Sequence, residues 1–256
     1  MIAKGSLTTI PVDSIIGFDA EWTKNYKMKN GNIPFCFSLV VMNREELNIS
    51  KLSNGNIRFD YIQYYSENRE DFKQLVAIAD SWLSKVLEVL DSCVLCGHQI
   101  SSDFAVLYNI GKAYAVEPLI GLKQVWCEWK RRKELFPVRI VDTRYDIVQD
   151  FLGKSRRLVD MCNDFYLDVT QPELRKSSMT KLQNIYYQTN DDRIRERISV
   201  MNLRHSLCAM ILFWMNEKNS NDEQRKHIDI NKSIYTVLKG DFHWVNTEEF
   251  YNLLRR

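Results

Sequence analysis

The stretch IIGFDAEWTKNY, residues 15–26, places two acids directly after an apolar run. Its first four residues, 15–18, predict a short buried strand. Because residues two apart in a strand point to the same side, Asp19 and Glu21 share a face. Two negative charges this close repel each other. The pair at the end of an apolar strand therefore needs an explanation beyond the packing of a core.

Length and composition favour one α/β domain. The 256 residues are 45% hydrophobic and 27% charged, which is enough to form a full core. A formal net charge of +2 means that any surface for a polyanion has to be local. We see neither a signal peptide nor an apolar run of about 20 residues, and we expect a cytoplasmic protein with no membrane contact.

The six cysteines have spacings that suggest no disulfide framework, which fits a reducing cytoplasm. Cys93 and Cys96, with His98 close by, have part of the spacing of a zinc site. We favour plain buried cysteines, because the segment predicts a strand in which residues three apart point to opposite faces. No second Cys/His pair follows at a suitable distance.

The rest of the chain predicts strands first, and then helices and strands in alternation. Predicted strands cover residues 14–19, 35–43, 57–65, 93–99 and 137–146. Predicted helices cover 70–90, 156–169 and 191–218, a further one begins near Asp103, and a polar hairpin loop covers 43–56. We predict a mixed central sheet flanked by helices over residues 1–218, with a linker and tail, 219–256, packed on the same domain.

Three further residues stand where functional groups gather in such folds. Asp103 opens a helix, Asp142 ends an apolar strand, and His205 lies inside an apolar helix. Taken singly, each has an ordinary explanation. An acid in the first turn of a helix gains about 0.3–1 kcal/mol from the helix dipole, and a lone histidine is usually a hydrogen-bonded core residue. Together with Asp19 and Glu21, however, the three form an ordered set.

This set resembles the motifs of the DEDD superfamily of 3′–5′ exonucleases, which includes RNase D, RNase T and the proofreading exonucleases. GFDAEW (17–22) is similar to the first motif, and GHQISSDFAVL (97–107) is similar to the second. RIVDTRYD (139–146) and RRLVDMCNDFYLDV (156–169) are similar to the strand and helix that follow. The resemblance runs from about residue 14 to 216, and it implies an RNase H-like exonuclease fold.

The resemblance also implies the chemistry. Two divalent ions, Mg²⁺ or Mn²⁺, activate a water and stabilise the leaving oxygen during phosphodiester cleavage. Such ions require oxygen ligands, which Asp19 and Glu21 would supply. Asp103 would hold the second ion or orient its water. His98 would be a hydrogen-bonding residue at the end of a strand.

The third motif departs from the family, which ends in an Asp preceded by a His or a Tyr. No acid lies between Glu196 and Glu217. In one alignment His205 is the general base and Met210 replaces the final Asp, which would leave the protein inactive. In the other, His205 replaces the Asp and Met201 stands at the Tyr or His position. We favour the second, because the apolar residues after His205 match the family's spacing and an imidazole can ligate a divalent ion, Mn²⁺ above all.

No general base remains in this alignment, so a metal-bound hydroxide would act unaided or with Arg204 or Asn202. Trp22 and Tyr26 are candidates for stacking on a terminal base, although Trp22 is equally well a core residue. Four basic runs are either phosphate contacts or solvated helix faces: 130–133, 156–157, 175–176 and 193–197. The polar loop 170–184 is a candidate for the segment that determines substrate choice. The predicted substrate-binding residues are Trp22, His98, Gln99, Ser102, Asp142 and Arg204.

The sequence thus favours a metal-dependent 3′–5′ exonuclease that acts on the single-stranded 3′ end of DNA or RNA. Its predicted catalytic and metal-ligating residues are Asp19, Glu21, Asp103 and His205. The alternative, motivated by the missing final Asp, is an inactive exonuclease-like module that binds nucleic acid or a protein.

Overall fold

A computed structural model of the chain describes residues 1–25, 31–134, 138–147, 156–169, 171, 173, 177–218 and 228–255. Its strands are β1 (Ile2–Lys4), β2 (Ser14–Trp22), β3 (Pro34–Asn43), β4 (Asp60–Tyr65), β5 (Val94–Gly97), β6 (Ile140–Asp142), β7 (Leu167–Asp168) and β8 (Ile228–Asp229). Its α-helices are α1 (Ile49–Ser53), α2 (Phe72–Val89), α3 (Ile100–Ala113), α4 (Ile120–Arg131), α5 (Thr143–Asp146), α6 (Leu158–Asp164), α7 (Met179–Thr189), α8 (Asp192–Glu217), α9 (Ile230–Leu238) and α10 (Glu248–Leu254).

The central sheet is mixed and has the order β1-β4-β3-β2-β5-β6. Strand β2 lies inside it, antiparallel to β3 and parallel to β5. Strand β5 is in turn parallel to β6, while β3, β4 and β1 form an antiparallel ribbon on the other side. The prediction of a mixed α/β sheet flanked by helices is therefore confirmed.

Alternate residues of β2 face two apolar clusters on opposite sides of the sheet. Ile15 belongs to a cluster with α8, α9 and α10. Ile16 and Phe18 belong to another, which contains residues of α2, α3 and α4. All three β2 side chains are fully buried. The two-residue period of the strand thus directs the odd-numbered residues of β2, including Asp19 and Glu21, towards α8.

Helix α8 is buried over most of its length, as its apolar sequence predicts. Within the described ranges it is the one helix whose length and composition would allow it to cross a membrane, with a mean hydropathy of 1.3 over an 18-residue window. The expectation of a protein with no membrane contact stays a prediction. However, 94% of that window is buried inside the fold. A core helix of a soluble protein has the same properties, so the feature is weak evidence for a membrane span.

Several elements differ from the sequence prediction because local caps and turns redirect the chain. The predicted hairpin loop 43–56 contains a 3₁₀ turn, Arg44–Glu46, and helix α1, whose first turn is capped by the Asn48 side chain. The predicted helix 156–169 ends earlier, because Tyr166 adopts a left-handed conformation (φ 59°) and β7 pairs with β8. Strand β1, helix α4 and helix α7 were not predicted. The predicted linker 219–226 lies outside the described residues.

The C-terminal residues 228–255 pack against α8. Ile234, Val245 and Phe250 are fully buried in the same apolar cluster as α8 and Ile15 of β2. A 3₁₀ turn, His243–Asn246, brings Trp244 against a buried polar group beside α8. The tail therefore packs along α8 and also reaches the sheet, where the Tyr61 hydroxyl of β4 donates to Asp241.

Candidate functional site

The site lies where β2 leaves the core. The apolar residues of β2 end at Ala20, and the register with β3 shifts between Glu21 and Trp22, which marks a β-bulge. Bulges next to functional sites re-aim side chains. Asp19 and Glu21 lie on the same face of β2 and are partly exposed, as the sequence predicts.

Gly17 brings α8 close to this face. A Cβ atom at Gly17 would lie 2.2 Å from the backbone oxygen of Ser206, far inside van der Waals contact. The glycine is therefore required by the close approach of the two backbones. The approach also aligns Ser206 with Ser38 of β3, and their hydroxyl oxygens are 2.8 Å apart. His205, next to Ser206, is thereby placed over the acids.

His205 meets both acids through one ring nitrogen. Its Nδ1 is 3.2 Å from Oε1 of Glu21 and 3.6 Å from Oδ2 of Asp19. The three residues offer ligand atoms that all lie within 4.8 Å of one another, close enough to share a cation. The structure therefore brings together three of the four predicted metal-ligating residues in one compact group.

Asn202 fixes the orientation of Asp19. Its Nδ2 donates to Oδ2 of Asp19 at 2.7 Å and to the Asp19 carbonyl at 3.1 Å. Asn202 and His205 are three residues apart in α8, so they project from the same face of the helix. This face explains why a helix that is otherwise apolar carries polar residues at these positions.

Glu21 and the imidazole of His205 have shifted pKa values. Burial lowers the pKa of His205, but hydrogen bonds and attraction to Asp19 and Glu21 outweigh it and raise the pKa to about 10. Burial, and then repulsion from Asp19, raise the pKa of Glu21 against the opposing effect of His205. The two carboxylates thus favour the protonated form of the His205 ring.

Asp103 lines the same cleft and lies in the first turn of α3. It is 3% exposed, and its Oδ2 has no hydrogen-bond partner in the described part of the chain. Burial, with repulsion from Asp19 and Glu21, raises its pKa well above the usual range. It does not belong to the compact group of three. A buried carboxylate oxygen without a hydrogen-bond partner is what we expect of a residue that would bind a cation.

A cleft of about 730 Å³ joins these residues. Its lining includes every predicted catalytic residue and four of the predicted substrate contacts, Trp22, His98, Gln99 and Ser102. The lining residues that the sequence analysis did not name are Ala20, Lys24, Leu158, Ser177, Ser178, Met179 and Thr180. The last four lie in the polar loop 170–184 that the sequence made a candidate for substrate choice, where Ser178 caps α7 and Met179 begins it. The Ser-Ser-Met-Thr sequence is a helix-start signal that indicates this helix.

The segment after β5 is held by hydrogen bonds from β6 and α5. Gln99 adopts a left-handed conformation (φ 61°), its amide donates to Oδ1 of Asp142 at 2.9 Å, and its side chain donates to Ser102 at 2.9 Å. His98 Nδ1 lies 3.0 Å from the Thr143 hydroxyl. Burial lowers the pKa of His98 to about 4, so the ring is neutral. These bonds fit the prediction that His98 is a hydrogen-bonding residue at a strand end.

Two predicted substrate contacts are corrected. Asp142 is fully buried and accepts hydrogen bonds from the amides of Gln99 and Arg144, which makes it the cap of α5. Arg204 is also fully buried, and its guanidinium binds both oxygens of Glu173 at 2.5 and 2.8 Å. Neither side chain lines the cleft. Arg204 points away from the site because it precedes His205 by one residue, which is about 100° around the helix.

The Arg204–Glu173 pair lies next to a contact with the site. Gln171, two residues before Glu173, places its Nε2 3.1 Å from Nε2 of His205. Glu173 also accepts a hydrogen bond from the Trp244 indole at 3.1 Å. The segment that touches the outer ring nitrogen of His205 is therefore anchored by a buried ion pair. Residues 31 positions apart form this pair, and no short motif indicates it.

The other candidates do not extend the site. Cys93 donates to the Pro11 carbonyl and Cys96 is buried in β5, so the structure favours buried cysteines over a zinc ligand set. The described residues of the basic runs do not line the cleft. Arg132, for example, pairs with Asp146 at 2.7 Å, and Arg197 donates to the Glu173 carbonyl. Tyr26 and the run 175–176 lie outside the described residues.

Chemically, the cleft combines two carboxylates, one imidazole and a further buried carboxylate, which is a donor set for a hard or borderline divalent cation. A thiol-rich set for a soft ion is absent from the described lining. No protein-family model matches this chain, and no curated protein matches it either.

Proposed function

We propose that the protein is a divalent-metal-dependent 3′–5′ exonuclease, with an RNase H-like exonuclease fold, that hydrolyses phosphodiester bonds of DNA or RNA. The observation that carries the proposal is the convergence of Asp19, Glu21 and His205 within 4.8 Å, at the wall of a cleft that also contains Asp103. The motifs that resemble the DEDD superfamily supply these residues in the expected order.

The residues present fit the implied ions. Asp19, Glu21 and His205 would hold one Mg²⁺ or Mn²⁺, and Asp103, with one carboxylate oxygen unpartnered within the described chain, would serve the second. Such ions supply an activated water and a charge that stabilises the leaving oxygen. Asn202 keeps the Asp19 carboxylate in place, and the side chain of Gln171 lies against the outer ring nitrogen of His205. The mixed sheet with the acids on its central strand supports the fold assignment.

The third motif is best explained by the alignment in which His205 replaces the final Asp. His205 contacts both acids of the first motif, as a substitute ligand should. Met210, which would replace the Asp in the other alignment, is fully buried in the core behind the site, and Met201 is 2% exposed. Neither methionine lines the cleft.

The cleft also suits a phosphate. Its wall includes Ser178, which caps α7, and Met179 and Thr180 of the first turn of α7. Backbone amide groups at the start of a helix attract anions. Lys24 adds a positive charge on the same side. A phosphodiester held here would lie between these groups and the acids of β2, while Trp22 offers a ring for the terminal base.

One observation favours a second candidate, an inactive module that binds nucleic acid or a protein. The raised pKa of His205 means that an imidazolium already balances the two acids. In such a module this ion pair would occupy the place of a metal ion permanently. The two functions differ in whether a metal ion displaces the ring proton.

The test is a time course on 5′-labelled single-stranded DNA and RNA with Mn²⁺, Mg²⁺ or EDTA. We expect a metal-dependent ladder that shortens from the 3′ end. Asp19→Asn and His205→Ala should abolish it, while His205→Asp should retain activity and increase the preference for Mg²⁺, because oxygen replaces nitrogen as ligand.

The matched control is His243→Ala, which removes an exposed histidine outside the cleft and should leave the ladder unchanged. Nucleic-acid binding without cleavage in every metal would contradict the exonuclease and support the inactive module. Cleavage that survives both Asp19→Asn and His205→Ala would show that the activity comes from elsewhere.

A further inference from the structure

A second depression, of about 520 Å³, adjoins the cleft. The two share Lys24 and Thr180 as lining residues. The backbone amide of Lys24 donates to the Thr180 hydroxyl at 3.2 Å, so these residues form the ridge between cleft and depression. We call this depression the side groove. A chain that leaves the cleft across Lys24 enters the side groove directly.

Aromatic rings form one part of the side groove. Phe72 and Tyr114 meet edge to face with their ring centroids 4.9 Å apart. Tyr114 is 44% exposed, so part of its ring is open to solvent. Tyr187 lines the groove as well, beneath the guanidinium of Arg69 at 5.6 Å. The groove therefore offers flat surfaces on which planar groups can stack.

The charged groups of the side groove are predominantly positive. Lys24 and Arg69 line it, and Glu70 is the one acid among its described lining residues. Lys73, whose Nζ lies 5.8 Å from the centre of the Tyr114 ring, adds a third cation beside it. Aromatic rings interleaved with cations are the features by which proteins hold single-stranded nucleic acid without reading its sequence.

We propose that the side groove binds the nucleotides that precede the 3′-terminal one of a single strand whose end lies in the cleft. The bases stack on Tyr114 and Tyr187, and the phosphates pass Lys24 and Arg69. The inference rests on the proposed function and adds to it a separate binding surface for several further nucleotides of the strand. A duplex would not present unstacked bases to the rings.

The test measures binding of 5′-fluorescein oligothymidylates of two, four and eight nucleotides in EDTA, where metal-dependent hydrolysis is suppressed. For the wild type we expect affinity to rise with length. Tyr114→Ala should weaken binding of the longest oligomer by roughly 5- to 140-fold, the equivalent of one stacked base, and leave the dinucleotide unaffected. Arg69→Gln should reduce the magnitude of the slope of log affinity against log salt by about 0.7, the contribution of one phosphate contact.

Tyr166→Ala is the matched control, because Tyr166 is 50% exposed and lines neither cleft nor groove. It should not change binding. The inference is overturned if the wild type binds no oligomer, if affinity does not depend on length, or if Tyr114→Ala and Arg69→Gln bind like the wild type. Metal-dependent cleavage of 5′-labelled dinucleotides, measured in parallel, reports on the cleft alone. If the wild type does not cleave the dinucleotide, the proposed function is contradicted. If it does, but Tyr114→Ala and Arg69→Gln show the same dependence of affinity on length as the wild type, only the side groove is contradicted.

Discussion

At the scale of the residue, the two-residue period of β2 explains both its packing and its chemistry. Ile16 and Phe18 face the cluster with α2 and α3, while Gly17, Asp19 and Glu21 face α8. The same alternation that buries one face delivers the acids to the other. Gly17 is the residue on which this arrangement depends, since any side chain there would keep α8 away.

We expect Gly17→Ala to destabilise the fold by about 1–3 kcal/mol, the usual cost of inserting a methyl group into a packed core. The new Cβ would lie 2.2 Å from the Ser206 oxygen, so α8 has to shift and carry His205 with it. Urea unfolding measures the stability, and calorimetric titration with Mn²⁺ measures the site, which should bind the ion less tightly.

Gly240→Ala is the matched control, because nothing lies within 4 Å of a Cβ at Gly240. Its free energy of unfolding should stay within about 0.5 kcal/mol of the wild type. If Gly17→Ala were as stable as Gly240→Ala and bound Mn²⁺ normally, the close approach of β2 and α8 would not be what positions the site.

At the scale of the element, α8 joins the site to the segment around Glu173 and to the C-terminal tail. One face carries Asn202 and His205 towards β2. Another carries Arg204 to Glu173, whose Oε1 also binds the indole of Trp244. Because a buried arginine without a counter-ion is very unfavourable, the helix can be buried here only while Glu173 is in place.

We expect Glu173→Gln to cost about 3–5 kcal/mol, because it leaves the charge of Arg204 buried and uncompensated. The matched control is Glu217→Gln, which breaks an ion pair of the same helix with Arg44. Those two side chains are 38% and 44% exposed, so the expected cost is at most about 1 kcal/mol. Urea unfolding of both variants makes the comparison, and equal costs would show that the buried pair does not anchor the segment.

At the scale of the whole molecule, two apolar clusters lie on opposite faces of one sheet. The first extends from Ile15 of β2 through α8 to Phe250 of α10. The second lies among α2, α3, α4 and the other face of the sheet. The tail shares its apolar cluster with the sheet and α8, so its packing contributes to the stability of the domain as a whole.

We therefore expect residues 1–218 and the tail to unfold together. Phe250→Ala should cost about 3–5 kcal/mol, as for other fully buried phenylalanines, and it should leave a single transition. Far-ultraviolet circular dichroism and tryptophan fluorescence should give the same urea midpoint. Ile120→Ala, at a 64% exposed position, is the control with little expected effect. A separate early transition in Phe250→Ala would contradict shared cooperativity.

The positions of the main strands along the chain, the long apolar helix and the common face of Asp19 and Glu21 could be predicted from sequence, because each depends on a local period or on neighbours along the chain. Helix α7 and strand β1 could not be predicted from sequence. Helix α7 begins within a polar loop, and strand β1 spans only three residues. Their place is decided by what they pack against.

The sequence by itself determined the candidate residues of the cleft: two acids on one strand, an acid at a helix start and a histidine in an apolar helix. Only the tertiary structure decided which of the similar residues line the cleft. Asp142 and Arg204 stand as close to the motifs as His98 and His205 do, yet both are buried with partners of their own. The reason is physical, because burial and ion pairing depend on residues distant in the chain, such as Glu173 for Arg204, and a local pattern contains no information about them.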